Sequence, residues 1–216
     1  MSTSKSNLIL GVTGLSALII GLAVFNLKIQ PDNVAIDEQL QHATYLYDQQ
    51  VAIPDFDFID NHGRSFTKNN IRDQWTLWFF GFTHCPDICP TTLATLSHSL
   101  ALIEQQQNSA DLSIVFVSVD PERDSPEHIN NYISGFDSRI TGTSGYNESL
   151  QVFLKNMGII ATINKPTEDS TDYQVDHSSA VYLIAPDTAI SAVFNTPHQA
   201  STIAEDFLTI KRFFAP

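Results

Sequence analysis

The sequence predicts an α/β domain with a central mixed sheet flanked by helices, set behind an N-terminal apolar segment of membrane-spanning length. Two observations predict the domain. Residues 75–82 (WTLWFFGF) and 112–119 (LSIVFVSV) are continuous apolar runs of strand length, and segments of helical spacing alternate with them. Runs apolar on both faces suit strands buried in the middle of a sheet, and alternation with helices favours parallel pairing there. A third observation predicts the anchor: 18 residues, 8–25, carry no charge and only Thr13 and Ser16 as polar groups.

Extended through Leu27, the apolar segment spans roughly 30 Å as a helix, the thickness of a bilayer's hydrocarbon core. A cleaved signal peptide has an apolar stretch of about 7–15 residues ending in a small-residue cleavage site, so an uncleaved anchor fits better. The chain then divides into a short cytoplasmic N-terminus (1–7), a transmembrane anchor (8–27), a polar linker (28–49) and a globular domain (50–216). Within the domain, residues 51–66 read as a hairpin around Asn61-His62-Gly63. After Cys89-Pro90, Leu93, Leu96, Leu100 and Ile103 recur on one face of a helix. Ser125-Pro126-Glu127 reads as a helix start, with proline at the first helical position. A further helix is expected over 148–157, and strands over 180–184 and 191–194 that close an antiparallel edge. The last helix starts near Pro197 and turns Ile203, Phe207, Ile210 and Phe214 inward.

Composition narrows the function classes. Hydrophobic residues make up 43% of the chain, enough for a packed core, and 24 acidic residues against 11 basic give a net charge of −13. All the acidic residues follow Pro31. A nucleic-acid binder needs a basic face, so nucleic acid is not an expected partner. Two cysteines do not make a disulfide scaffold, and a chain of this length needs none.

Both cysteines stand in Gly81-Phe82-Thr83-His84-Cys85-Pro86-Asp87-Ile88-Cys89-Pro90, between the first apolar strand and the helix after it. Open α/β sheets place their sites at the carboxyl ends of strands. A helix N-terminus favours thiolate, so at least one thiol is expected to ionise near neutral pH. A structural disulfide would close a loop of only five residues, for little entropic gain. Metal binding needs a further ligand. His177, at a strand entrance in Gln174-Val175-Asp176-His177-Ser178-Ser179, is one candidate, and His84 competes with it. Two thiolates and an imidazole are a soft, three-donor set. Structural zinc prefers four protein ligands, so copper suits the set better, as Cu(I) or, with an added oxygen ligand, Cu(II).

At this point the residues resemble the Sco/SenC family of thioredoxin-like, membrane-anchored copper proteins of cytochrome c oxidase assembly. The resemblance covers about residues 50–214. It is carried in order by PDFDFIDNHG, WFFGFTHCPDICPTTL, VSVDPERDSPEHINNYISGF, ITG and YQVDHSSAVYLIAP. It implies a thioredoxin-like fold, and copper, Cu(I) or Cu(II), held by Cys85, Cys89 and His177. It also implies delivery of that copper to the CuA centre of cytochrome c oxidase subunit II or to another copper protein. A thiol-disulfide oxidoreductase using Cys85 and Cys89 as redox thiols is the second reading, although such motifs usually space their cysteines by two residues. A peroxiredoxin-like peroxidase would want proline and threonine where Trp78 and Phe82 stand. No Arg-rich, Ser-rich transit segment precedes the anchor, so a bacterial inner membrane with the domain in the periplasm is expected. One departure from the family pattern is Ala185-Pro186-Asp187, where an acidic residue before the proline and a glycine in the next turn are expected. Asp87, Asp120, Asp124 and Asp176 stand near the motifs as caps and turn formers, or as groups that orient His177 or meet a partner.

Overall fold

A computed structural model of the chain describes residues 36, 38–46, 51–106, 112–167 and 170–214. The expected anchor, 8–27, and much of the expected linker lie outside the described residues. Among the described residues, no helix is long and apolar enough to cross a membrane. The chain divides into units 1–39 and 40–216. Of the first, only Ile36, Glu38 and Gln39 are described, and the site lies wholly in the second.

The second unit opens with strand β1 (Ala43–Tyr45), followed by β2 (Asp57–Asp60), β3 (Ser65–Thr67), a 3-10 turn at Lys68–Asn70 and β4 (Trp75–Gly81). Helix α1 (Ile88–Gln106), β5 (Leu112–Ser118), α2 (Pro126–Ile133), β6 (Ile140–Ser144) and α3 (Asn147–Asn156) come next. The chain ends with β7 (Ala161–Asn164), β8 (Gln174–His177), β9 (Val181–Ile184), β10 (Ile190–Phe194) and α4 (Ala200–Phe214). Eight strands form one sheet in the order β1-β10-β9-β4-β5-β6-β2-β3, while β7 and β8 pair only with each other. The centre is parallel, β4 with β5 and β5 with β6; every other pairing is antiparallel.

The alternation along β4 explains the layers. Trp78 and Phe80 face Phe153 of α3, whereas Trp75 meets Phe207 of α4 edge-on and Phe79 lies beside Phe116 of β5. All seven residues of β4 are buried, as a strand covered on both faces requires. In α1, Cys89, Leu93, Leu96, Leu100 and Ile103 form the buried stripe. Ser125 caps α2, its hydroxyl accepting the His128 N–H at 3.2 Å, with Pro126 opening the helix.

Two expectations need correction, and strands β6, β7 and β8 have no counterpart among the expected elements. Residues 43–45, read as linker, form β1 and pair with β10 in register Ala43 to Phe194. The reason lies far along the chain: buried Asp206 of α4 accepts the backbone N–H groups of Gln41, His42 and Ala43 at 2.7, 2.9 and 2.8 Å. Strand β6 (ITGTS) carries one apolar side chain and so has no apolar periodicity to read, and Gly142 sits in its middle. A Cβ there would stand 2.1 Å from Ile129 Cγ2, so glycine is what lets α2 close onto the sheet. Strands β7 and β8 lie outside the expected elements too; His177, expected at the entrance of the strand over 180–184, ends β8 instead. Finally, Phe214 does not face inward; it is 36% exposed, capping Trp75 edge-on from the end of α4. The departure at Ala185-Pro186-Asp187 also has a structural counterpart. Thr188 holds φ at +70°, the left-handed region where a glycine is favoured and a β-branched residue is strained.

Candidate metal centre

Strands β4 and β5 run parallel and end together, with the Val119 N–H bonded to the Gly81 carbonyl at 2.8 Å. The loop into α1 and the loop into α2 therefore leave the same edge of the sheet. The first carries the two cysteines and the second carries Asp120-Pro121-Glu122-Arg123-Asp124. Cys85 precedes α1 and is partly exposed, whereas Cys89 lies in its first turn and is fully buried. The Cys89 backbone N–H points at the Cys85 sulfur, 3.4 Å away. This is the position of a helix cap, with sulfur in place of the usual oxygen.

His177 ends β8. Its Nε2 is 3.5 Å from Cys89 Sγ, and one ligand atom from each of Cys85, Cys89 and His177 lies within 4.8 Å of the other two. Its Nδ1–H donates to the Ser178 carbonyl at 3.0 Å, which leaves the Nε2 lone pair free to meet a metal. Phe79 and Phe82 wall the ring edge-on, with centroids at 6.3 and 5.7 Å. Thiolate and imidazole donors about 2.3 and 2.0 Å from a shared ion, at an angle near 110°, stand about 3.5 Å apart. The three side chains can hold a metal ion with little rearrangement.

His84 is the histidine that the site leaves out. It is 44% exposed and turns toward Asp124, Nδ1 to Oδ1 3.7 Å. Asp124 accepts from the Thr83 N–H at 3.0 Å, the Thr83 hydroxyl at 2.6 Å and the Ser118 hydroxyl at 2.6 Å. Its role is to tie the cysteine loop to the end of β5. Asp176 accepts from Asn164 across the β7–β8 hairpin and does not reach its neighbour's ring. Asp87 is exposed, and its carbonyl accepts the Thr91 N–H in the first turn of α1. The ligand cluster includes none of the remaining histidines: His128 stacks on His84 with centroids 5.5 Å apart, and His198 bonds the Ser179 carbonyl at 2.8 Å, burial lowering its pKa.

Of the two thiols, at least one of which is expected to ionise, Cys89 is not the one. Burial is the largest influence and pushes its pKa well above the ordinary thiol value of 9.0; neighbouring Cys85 and Asp124 push the same way. The helix N-terminus does not offset full removal from water. A group with a raised native pKa keeps its stabilising effect below the unfolded pKa and loses it above. The metal-free protein should thus hold its stability up to about pH 9 and weaken beyond it, as the unfolded thiol ionises. Thermal unfolding of wild type against Cys89→Ala between pH 7 and 10.5 checks this, the variant losing the Cys89 share of the slope.

Gly81 is part of the site's geometry. A Cβ on it would lie 2.8 Å from Cys89 Sγ and 3.0 Å from Phe116 Cε2. Gly81→Ala is expected to push the sulfur off its position, lowering metal affinity about tenfold and stability by about 1–3 kcal/mol. A chelator competition paired with thermal unfolding reads both effects.

A mixed α/β domain with two thiols and an imidazole converging at the carboxyl edge of its parallel strands defines a class: proteins that bind a soft metal or exchange thiols there. Comparison with known proteins narrows it. The SCO1/SenC family model matches residues 25–212. The human protein SCO2 homolog, mitochondrial, is 31% identical over 194 residues, covering 90% of this chain and 71% of that one. A putative copper-binding protein of Stutzerimonas stutzeri is 31% identical over 182 residues, 84% of this chain and 87% of that one. Among solved structures, Arabidopsis thaliana ScoI with copper bound superposes with a TM-score of 0.70 at 30% identity, covering 75% of this chain and 99% of that one. Bradyrhizobium japonicum ScoI with copper bound gives 0.64 at 32% identity, covering 76% and 99%. The chain belongs to the SCO1/SenC family, and its domain has the thioredoxin-like fold of those structures.

Proposed function

We propose that this protein is a membrane-anchored copper chaperone that loads the CuA centre of cytochrome c oxidase subunit II during assembly of the enzyme. The observation that carries this reading is the convergence of Cys85, Cys89 and His177 within 4.8 Å. The donor chemistry fits copper: two sulfurs and one nitrogen satisfy Cu(I), and an added water or carboxylate completes a planar site for Cu(II). One half-exposed thiol suits handover, because a recipient ligand can displace Cys85 while Cys89 and His177 still hold the ion. Oxidase assembly comes from the family, one of whose solved members is described as a cytochrome c oxidase assembly protein. Residues 8–27 anchor the domain in the bacterial inner membrane, on the periplasmic side.

The test mixes the copper-loaded protein with a copper-free CuA domain whose thiols are reduced, then adds a mild one-electron oxidant, ferricyanide, and follows the visible absorption of the mixed-valence CuA centre. The reading expects that absorption to grow in proportion to added loaded protein. No growth, under conditions where free copper still metallates the CuA domain, would overturn it. Binding displaces thiol protons, so copper affinity should also rise from pH 6 to pH 8.

The second reading, a thiol-disulfide oxidoreductase, is favoured by one observation: both thiols are free and Cys89 lies directly behind Cys85. The Cys85 thiolate would attack a partner disulfide. Cys89 would then lose its proton and attack the Cys85 sulfur, releasing the partner as a dithiol. His177 separates the two readings. Its replacement by alanine should weaken copper binding strongly, leaving only the two sulfurs to hold the ion, and leave disulfide exchange largely intact.

A further inference from the structure

His177 reaches the thiols from a hairpin that the main sheet does not hold, since β7 and β8 pair only with each other. Among the described residues, the hairpin's hydrogen bonds and ion pairs to the rest of the domain gather at two places. One is the Cys89–His177 contact itself. The other is the loop after β5. There the Tyr173 hydroxyl, just before β8, donates to Asp120 at 2.6 Å, and Arg123 Nη1 donates to the Tyr173 carbonyl at 3.1 Å. Lys165, just after β7, pairs with Glu122.

Arg123 is the centre of this arrangement. Its guanidinium carbon lies 3.6 Å from the centroid of the Tyr173 ring and 5.7 Å from that of Phe82, the same phenylalanine that walls the His177 ring. Its Nε donates to Asp120, which is fully buried and whose own backbone N–H is held by the Ser118 hydroxyl at 3.1 Å. The guanidinium thus has a fixed floor, the end of β5, and a fixed cover, the root of β8. Tyr173 serves as both a stacking surface and a hydrogen-bond donor, and burial together with that donation keeps its phenol protonated. A planar fork that stacks and donates at once is a geometry that lysine does not reproduce.

We propose that Arg123, seated on Asp120 and stacked on Tyr173, is a positioning residue that docks the β7–β8 hairpin and so sets His177 Nε2 against Cys89. It never contacts the metal; it acts through the four-residue strand between Tyr173 and the imidazole. This rests on the copper reading above for its consequence, but not for its geometry. Groups that orient a metal's ligands typically change affinity by about 10- to 100-fold.

The test uses the full-length chain and the variants Arg123→Lys, Tyr173→Phe, His177→Ala and the double variant Arg123→Lys/His177→Ala. In the copper-free state, Arg123→Lys should speed amide exchange in β7 and β8 about tenfold and leave β4 and β5 unchanged. In a Cu(I) chelator competition it should lower affinity about tenfold in the wild-type background and less than about twofold when His177 is already alanine. Tyr173→Phe keeps the ring and removes one hydrogen bond, so it should shift both readouts in the same direction by a smaller factor of about three. It decides the matter if Arg123→Lys does not fold. Unchanged hairpin exchange, or an equal loss of affinity with and without His177, would overturn the proposal. If the wild type binds no copper, the copper reading falls while the exchange experiment still decides whether Arg123 docks the hairpin.

Discussion

Serine at Cys89 is expected to remove stoichiometric copper binding, a functional effect matched only by serine at Cys85. The replacement changes little in size and everything in donor character. A hydroxyl does not ionise near neutral pH and is a hard oxygen, whereas Cu(I) selects thiolate. The remaining donors, Cys85 and His177, flank Cys89 and lose the sulfur that both approach, His177 at 3.5 Å and Cys85 through its contact with the Cys89 N–H at 3.4 Å. Cys89 is fully buried against Gly81, so a hydroxyl there, on a shorter bond than sulfur and set back from His177 Nε2, costs about 1–3 kcal/mol of stability as well. Cys85→Ser separates the two effects, because Cys85 is partly exposed. It should lose binding with stability nearly unchanged. Copper per chain by native mass spectrometry, read beside the thermal unfolding curve, checks both variants; one copper retained by Cys85→Ser would remove Cys85 from the site.

Alanine at Asp206 is expected to give the largest loss of stability. The carboxylate is 1% exposed and accepts three consecutive backbone N–H groups at the start of the domain. Without it those donors have no acceptor, and each buried, unmet N–H costs about 1–3 kcal/mol before water relieves the exposed ones. The net expectation is about 3 kcal/mol, a fall in Tm of roughly 6–12 °C. Strand β1 should detach from β10, so the Leu46 N–H, which donates to the Ser191 carbonyl at 3.0 Å, and the amide of Val193, which faces β1 opposite Thr44, should exchange faster in the variant. A Tm within about 1 °C of wild type would mean that the carboxylate does not hold the strand.

The parts of this fold that were legible in the sequence are those fixed by local pattern. Strands β4 and β5 announce themselves as unbroken apolar runs, and α1 by the four-three spacing of Leu93, Leu96, Leu100 and Ile103. What stayed hidden depends on contacts distant in the chain. Nothing near residues 41–43 reveals that Asp206 will accept their N–H groups, and nothing in Ile140–Ser144 shows that Gly142 makes room for Ile129. The site was legible to a similar depth. The spacing of Cys85 and Cys89 at a strand–helix junction pointed to chemistry, and His177 and His84 emerged as rival third ligands. The choice between them is tertiary: the Ser178 carbonyl and the rings of Phe79 and Phe82 turn His177 toward Cys89, while Asp124 turns His84 away. That Cys89 is not the thiol to ionise is hidden for the same reason, because a helix N-terminus is visible in a sequence and complete burial is not. The Arg123–Tyr173 stack joins residues fifty positions apart and carries no local signature.

The most direct test of the metal centre is X-ray absorption at the copper edge on the Cu(I)-loaded protein, wild type beside His177→Ala. Cys85, Cys89 and His177 predict two sulfur neighbours and one nitrogen per copper, with the nitrogen lost and both sulfurs kept in the variant. A wild-type shell without sulfur, or a nitrogen contribution unchanged when His177 is alanine, would contradict it.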